Sequence, residues 1–254
     1  MLALITGASS GIGFHLAREF ATHGYDLVIV ANEDAIFSAA DKLRAEGVKV
    51  DAYCLDLSVL ANVQSLANSV DSLDALVLNA GAAVYGDFVR KNSLDDHLRM
   101  ISLNVVSVVA LTKLLIPKML SRGEGRVLIT SSIAALMPGP LYATYAASKA
   151  FLLSFSEALR NELLDTRIRV TCLMPGATDT GIFARSGMLH TVVAEGDKDA
   201  PEDVARQAFA ALMRGDHAIL AASFRTKIEG TFAKMLPLRL LAILHRRKTR
   251  PVHA

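Results

Sequence analysis

Cysteine is scarce in this chain. Cys54 and Cys172 are the only two, and both fall inside apolar, strand-like runs. That setting predicts buried, reduced thiols and argues against a disulfide framework or a metal site. Charge of one sign is lacking as well. The 27 basic and 25 acidic residues leave a formal net charge of +2, which gives no electrostatic case for nucleic acid as a partner. No uninterrupted apolar window reaches the length of a membrane span, and no targeting peptide stands ahead of the first apolar run. Internal repeats, linkers and low-complexity tracts are missing too. Together these absences predict a soluble, cytoplasmic protein organised as one domain over residues 1–254. Apolar side chains are plentiful: 52% of the 254 residues are hydrophobic, enough to bury a sizeable core.

The apolar residues fall into a repeating order. Short runs at 2–5, 25–30, 48–55, 74–78, 125–130, 168–174 and 217–222 read as strands. Amphipathic stretches between them, such as 37–45, 94–117 and 201–213, read as helices, an alternation that predicts an α/β fold on a parallel sheet. Thr6-Gly7-Ala8-Ser9-Ser10-Gly11-Ile12-Gly13 joins the first strand to the first helix. Glycines without a Cβ let the backbone take positive φ and approach a ligand closely. The N–H groups that open the following helix then face an anion. A dinucleotide pyrophosphate is the natural occupant, which makes Gly7, Ser9, Ser10, Gly11, Ile12 and Gly13 candidate cofactor contacts. The spacing is Gly-x-x-x-Gly-x-Gly and not the better-known Gly-x-Gly-x-x-Gly, and a ligand-free turn would read the same way.

Further candidates stand where strands end. The second strand exits into Ala31-Asn32-Glu33-Asp34 with no basic residue. Asn32 and Glu33 would meet an adenosine ribose, and a carboxylate there repels a 2′-phosphate, which favours NAD(H) over NADP(H). A solvated, acidic helix start accounts for the same residues. Asp56-Leu57 follows the third strand, where the carboxylate would accept from an adenine amino group or cap the next helix. Asn79-Ala80-Gly81 ends the fourth strand with small residues beside which a ribose could pass. Asn104 sits in the apolar 94–117 helix and must find partners there. Ser131-Ser132 closes the fifth strand. Tyr145 and Lys149, four apart, share one helical face, where an ammonium would lower the phenol pKa from about 10 and make it an acid/base.

Gly7-x-x-x-Gly11-x-Gly13, Asn79-Ala80-Gly81, Asn104, Ser132, Tyr145-x-x-x-Lys149 and Pro175-Gly176-Ala177-Thr178-Asp179-Thr180 together resemble, in order and approximate spacing, the short-chain dehydrogenase/reductase family. The resemblance covers residues 2–222. It implies a Rossmann-type fold: a single doubly wound domain with a parallel seven-stranded sheet and helices on both faces. It implies an NAD(P)-dependent oxidoreductase that moves a hydride between a nicotinamide and a carbonyl/alcohol substrate. In that setting Tyr145 is the proton donor or acceptor and Ser132 holds the substrate oxygen. Lys149 binds the nicotinamide ribose and lowers the tyrosine pKa, and Asn104 positions a relay water. Pro175, Gly176, Thr178 and Thr180 face the nicotinamide side of the cofactor. Residues 181–199, apolar and bounded by glycines, correspond to a lid that carries one histidine, His190. With Ala82, Val84, Ile133, Leu136 and Tyr142 as pocket candidates, the substrate is expected to be apolar. The last strand is expected to pair subunits in a homodimer or homotetramer.

The tail, about 224–254, departs from the family pattern. Ile228, Phe232, Met235 and Leu236 form an apolar stripe, and a basic end runs from His245 to Arg250. A helix packed on its own or a neighbouring subunit is favoured over peripheral contact with an anionic membrane surface. Two other readings stay open: a dinucleotide-binding regulatory or scaffold protein without turnover, and dehydratase or epimerase chemistry on a similar Tyr–Lys pair.

Overall fold

The computed structural model describes residues 1–189, 191–221 and 237–250. Seven strands, β1 (Leu2–Thr6), β2 (Asp26–Ala31), β3 (Val50–Cys54), β4 (Ala75–Leu78), β5 (Gly125–Thr130), β6 (Ile168–Pro175) and β7 (Ala218–Ala221), form one sheet in the order β3-β2-β1-β4-β5-β6-β7. Every pairing is parallel. Alternate strand residues point to opposite faces, and both faces are covered. This is why the strands read as continuous apolar runs. Ile5 and Ile29 pack under α1 (Gly11–Thr22), α2 (Ala35–Arg44) and α9 (Pro201–Arg214), with Phe20 and Phe209 between them. Leu4, Leu76, Val127 and Ile129 pack under α3 (Leu60–Asn68), α5 (Ser107–Arg122) and α6 (Ala143–Glu162) on the other side. The expected Rossmann-type single domain with a parallel seven-stranded sheet is thus observed. Chain order reverses beside β1, where β4 takes the neighbouring place, and this switch point leaves a crevice at the carboxyl ends of the strands.

The expected helix over 94–117 differs in three ways. A capping box between Ser93 and Asp96 starts α4 (Leu94–Ile101), satisfying two orphan donors. The chain then widens into a π-helical turn, Ser102–Val106, before α5 begins. Finally, α5 continues past Pro117 and stops at Gly123 with φ of 91°. Pro117 and Lys113 both face solvent, so water can serve the carbonyl that the proline leaves unpaired. Leu94–Arg122 is, by length and composition, long and apolar enough to cross a membrane, with a mean hydropathy of 1.9 over an 18-residue window within it. The expectation concerned uninterrupted apolar runs; here Ser102, Asn104, Ser107, Thr112 and Lys113 interrupt the run, and it is the average over an 18-residue window that reaches the standard. Leu111, Leu115 and Met119 from this helix cover the sheet.

A second correction concerns the thiols. Cys172 is buried as expected, but Cys54 is exposed. It ends β3, which among the described residues is an edge strand with no strand on its outer side. The lid contains two short helices, α7 (Ile182–Arg185) and α8 (Val192–Glu195). Its Phe183, Met188 and Ala194 pack with Tyr142 and Ala146 in a third apolar cluster. In the tail, α10 (Leu238–Thr249) buries Leu241, His245 and Thr249, spaced four apart, against the rest of the chain. The stripe through Ile228, Phe232, Met235 and Leu236 lies outside the described residues, as does His190.

Candidate active site

A cavity of about 780 Å³ opens at the switch-point crevice. Its wall contains Gly7, Ser9, Ser10, Gly11, Ile12 and Gly13 from the first turn, and Asn32 and Glu33 after β2. It also contains Asp56 and Leu57 after β3, Asn79, Ala80 and Gly81 after β4, Ser132 after β5, Tyr145 and Lys149 of α6, and Pro175, Gly176, Thr178 and Thr180 after β6. Asn104 alone among the expected catalytic and cofactor-binding residues does not line it. It is fully buried directly behind the wall.

Backbone proximity accounts for the glycines. Gly7 has φ of +70° and Gly11 of +56°, the left-handed region that other residues resist. A Cβ on Gly13 would lie 2.0 Å from the Gly7 carbonyl oxygen, and one on Gly11 would lie 2.9 Å from Thr180 Cγ2. The turn is tied to β4 through Thr6, whose Oγ1 accepts from the Asn79 and Ala80 N–H groups, each at 2.9 Å. Asn79 donates back to the Thr6 and Gly7 carbonyls at 3.2 and 3.3 Å. No acid occupies the first turn of α1, so the helix's positive end stays available to an anion.

At the adenosine end, Ser9 Oγ donates to Glu33 Oε1 at 2.5 Å, which fixes a carboxylate beside the loop. Asp56 is already engaged. Its Oδ1 accepts from Ser58 N–H at 2.9 Å and Ser58 Oγ at 2.7 Å, and its Oδ2 from Arg99 at 2.5 Å. Those hydrogen bonds hold its carboxyl below the usual range. The capping expectation is corrected: Val59 is the N-cap of α3, without a side-chain cap, and Asp56 instead organises the turn ahead of it while facing the cavity.

The reactive end is built by β5, α6 and the π turn. Ser132 caps a short 3₁₀ turn, Ile133–Leu136, by accepting from Ala134 N–H at 3.1 Å, and its hydroxyl acts on the Tyr145 phenol in the direction that lowers its pKa. Ser131 points elsewhere, donating to the Lys149 carbonyl at 2.7 Å. Lys149 Nζ is buried, donates to the Thr130 carbonyl at 2.9 Å and lies 5.8 Å from the Tyr145 ring centroid. A Cβ on Gly81 would come within 3.2 Å of Lys149 Nζ and 3.3 Å of Asn104 Oδ1, so these groups converge on a point that only glycine leaves open. Asn104 spans two segments: its Oδ1 accepts from Ala82 N–H, and its Nδ2 donates to the Ala82 carbonyl at 2.9 Å and to Ser148 Oγ at 3.1 Å. The π turn is what directs it there, as extra-residue turns in helices often do at sites of chemistry.

The electrostatics differ from the expected lowering of the phenol. Burial raises the Tyr145 pKa above its ordinary value, with the Ser132 hydrogen bond acting against that rise. Burial also pushes Lys149 down to about 8, so the ammonium has lost part of the hold on its proton with which it would stabilise a phenolate. Comparison with Lys149→Met tests this burial. An unfolded lysine binds its proton to about pH 10.5, so between pH 8 and 10.5 the unfolded state holds more protons than the folded one, and stability rises with pH. Wild type should gain about 3 kcal/mol relative to Lys149→Met across that window in urea unfolding. An unchanged difference would mean that Lys149 keeps an ordinary pKa.

The residues present fit a nicotinamide dinucleotide: a cradle without Cβ atoms at a helix N-terminus, then small residues, then a Ser–Tyr–Lys cluster. When bound, that group supplies hydride transfer to or from a substrate carbon. The chain's own hydroxyls, Ser132 Oγ and Tyr145 Oη, can hold one oxygen between them, stabilise charge developing on it and move a proton at Tyr145 Oη. Fold and site together define a Rossmann-type oxidoreductase that uses a nicotinamide cofactor.

The relatives agree. The short chain dehydrogenase family model matches residues 1–188. Oxidoreductase UcpA of Salmonella typhimurium is 33% identical over 207 residues, covering 80% of this chain and 76% of that protein. A dehydrogenase/reductase SDR family protein 7-like of Anopheles gambiae is 31% identical over 241 residues, covering 87% and 74%. A short-chain dehydrogenase from Sphingobium yanoikuyae, solved with NADPH, superposes with a TM-score of 0.81 at 28% identity, covering 92% of this chain and 93% of that one. A Burkholderia phymatum member solved with NAD gives 0.84 at 25%, covering 99% and 97%. The chain belongs to the short-chain dehydrogenase/reductase family and is an NAD(P)-dependent oxidoreductase acting on CH–OH/C=O groups.

The structure adds residues that sequence reasoning passed over. Thr6 and Ser148 position Asn79 and Asn104 through hydroxyls that look ordinary in a sequence. Of the pocket candidates, Ala82, Ile133 and Tyr142 line the cavity, while Val84 and Leu136 do not. The lid brings in more charge than expected, from Arg185, Asp197, Lys198 and Asp199, with Lys198 Nζ 5.7 Å from the Phe183 ring centroid. His245 also lines the cavity, reaching it from the far end of the chain.

Proposed function

We propose that the protein is an NAD(H)-preferring dehydrogenase/reductase of an apolar ketone or secondary alcohol, with Tyr145 as acid/base, Ser132 as oxygen-holding hydroxyl, Lys149 as cofactor-ribose ligand and Asn104 as the group that positions the proton relay. The observation that carries it is the convergence of Ser132, Tyr145 and Lys149 at one end of the cavity, with Asn104 buried directly behind its wall. Apolar side chains on the substrate side, among them Ile133, Met137, Phe183 and Met188, support an apolar substrate. Ser9's hold on Glu33 supports the NAD(H) preference, because a fixed carboxylate repels a 2′-phosphate, and Arg99, a cation near this end, is paired with Asp56. Glu33→Gln removes that repulsion. It should narrow the NADH/NADPH ratio of kcat/KM by about tenfold, roughly 1.4 kcal/mol, measured by initial rates with either cofactor. A ratio that does not move would remove Glu33 from cofactor choice.

Exposed apolar side chains on α5 and α6, Val109, Leu114, Leu120 and Phe151, support the homodimer or homotetramer, which sedimentation equilibrium would read directly. The exposed free thiol of Cys54 suits a reducing, cytoplasmic setting. Turnover of a ketone panel with NADH is the first test of the whole reading. Dinucleotide binding without any turnover would return the scaffold alternative to the front.

A further inference from the structure

We propose that His245 is a specificity-determining residue: with Tyr142 it latches α10 across the substrate end of the cavity, so that the chain's own C-terminal helix sets the size of substrate admitted. The inference rests on the carbonyl/alcohol reading of the site and concerns only its substrate half.

The latch is assembled from four hydrogen bonds. His245 Nδ1 lies 2.9 Å from the Pro138 carbonyl oxygen. A carbonyl only accepts, so Nδ1 carries the proton. Nε2 lies 2.5 Å from Tyr142 Oη, and in that tautomer it accepts from the phenol. The two rings meet edge to face, with centroids 5.4 Å apart at 90°. One turn further along α10, Thr249 Oγ1 donates to the Pro140 carbonyl at 3.1 Å, and Tyr85 Oη donates to the Thr249 carbonyl at 2.6 Å. The face of α10 turned inward is thus Leu241, His245 and Thr249. Its two polar members are matched to a loop, 137–141, that runs from the Ser132 turn to the start of α6.

That loop has little freedom to follow a displaced helix. Leu141 holds φ of 70°, a conformation costly for a branched residue, while its carbonyl accepts from Gly86 N–H at 2.7 Å. A Cβ on Gly139 would lie 2.7 Å from Ala146 Cβ and 2.8 Å from the Tyr142 ring. Tyr142 caps α6 only three residues before Tyr145, and the two rings lie 5.9 Å apart. The contact that fixes α10 is therefore one helical turn from the reacting hydroxyl. His245 and Tyr142 both line the cavity beside Met188 and Ile133, so what His245 holds in place is wall.

The test uses full-length protein and a graded series of aryl ketones, from acetophenone to isobutyrophenone and benzophenone, with NADH. His245→Ala and Tyr142→Phe should each shift the kcat/KM ratio of the bulkiest to the smallest ketone toward the bulky one by about tenfold or more, the scale of discrimination that pocket shape supplies. The change should lie mainly in KM. His245→Gln, which returns an acceptor near the Nε2 position, should recover much of the wild-type ratio. Hydrogen exchange at 238–249 should quicken about tenfold in Tyr142→Phe with exchange in α5 unchanged, because the opening is local. Ketones discriminated alike, or rejected alike, by wild type and variants would overturn the proposal, as would unaltered exchange of α10. NADH titration of each variant separates the outcomes: loss of dinucleotide binding would count against the oxidoreductase site itself, whereas intact binding with unaltered selectivity counts against the latch alone.

Discussion

Tyr145→Phe is expected to lower kcat by roughly 10²–10⁴-fold, the range that a positioned proton donor contributes. The substitution keeps the ring, and with it the packing against Tyr142 at 5.9 Å and the cation contact from Lys149. Only Oη is removed, together with its interaction with the Ser132 hydroxyl. NADH affinity should change by no more than a few-fold, since the cradle at Gly7, Gly11 and Gly13 is untouched. Burial raises the phenol's pKa, so in the wild type the protonated form is the resting one and carbonyl reduction is favoured at neutral pH. A log kcat profile for reduction should fall on the alkaline side and be absent in the residual activity of the variant. Full turnover by Tyr145→Phe would place the acid/base elsewhere, with Ser132 the next group to test. Stopped-flow oxidation of NADH under single-turnover conditions reads the chemical step directly.

Gly13→Ala has the second large expected effect, and it acts on folding and binding before chemistry. The added Cβ would sit 2.0 Å from the Gly7 carbonyl oxygen and 2.6 Å from Asn79 Nδ2. Neither the backbone of a tight turn nor an amide already bonded to Thr6 and Gly7 can withdraw far. Overpacking of this kind costs about 1–3 kcal/mol or more, and relief requires α1 to move off β1. That motion would open the anion site at the helix N-terminus. We expect NADH affinity to fall about 100-fold, near 2.7 kcal/mol, with a lower urea midpoint. By contrast, Gly24→Ala meets nothing within 4 Å, has only its positive φ to strain it, and should leave NADH affinity alone. Equal effects of the two substitutions would show that close approach to Gly7 and Asn79 is not what restricts position 13 to glycine.

The sequence carried the parts of this site that are local in the chain. A glycine turn between a strand and a helix, or a tyrosine and a lysine four apart, leaves a periodic trace because neighbouring residues share one element. The seven strands could be read for a related reason, since a sheet buried on both faces concentrates apolar residues. Groups whose meaning depends on distant segments left no such trace. Asn104 was identified, but the π turn that aims it at Ala82 and Ser148 arises from packing and has no composition of its own. Cys54 looks buried in a run of apolar residues, and only the strand order shows that β3 is an edge. The phenol's pKa was expected to fall because an ammonium lies nearby, yet burial of both groups reverses the balance. Tyr142 and His245 are 103 residues apart. Leu241, His245 and Thr249 do lie four apart, but His245 and Thr249 sit in a run that reads as a basic, solvated end, so the inward face of the last helix shows only in the structure.

The most direct test of the central claim is a fluorescence titration of the pure protein with NADH and, separately, NADPH. Saturable binding of both, about tenfold or more tighter for NADH, is the result predicted by a glycine cradle bordered by the Glu33 carboxylate. Tighter binding of NADPH would contradict the role of Glu33, and binding of neither would contradict the dinucleotide site on which the whole account stands.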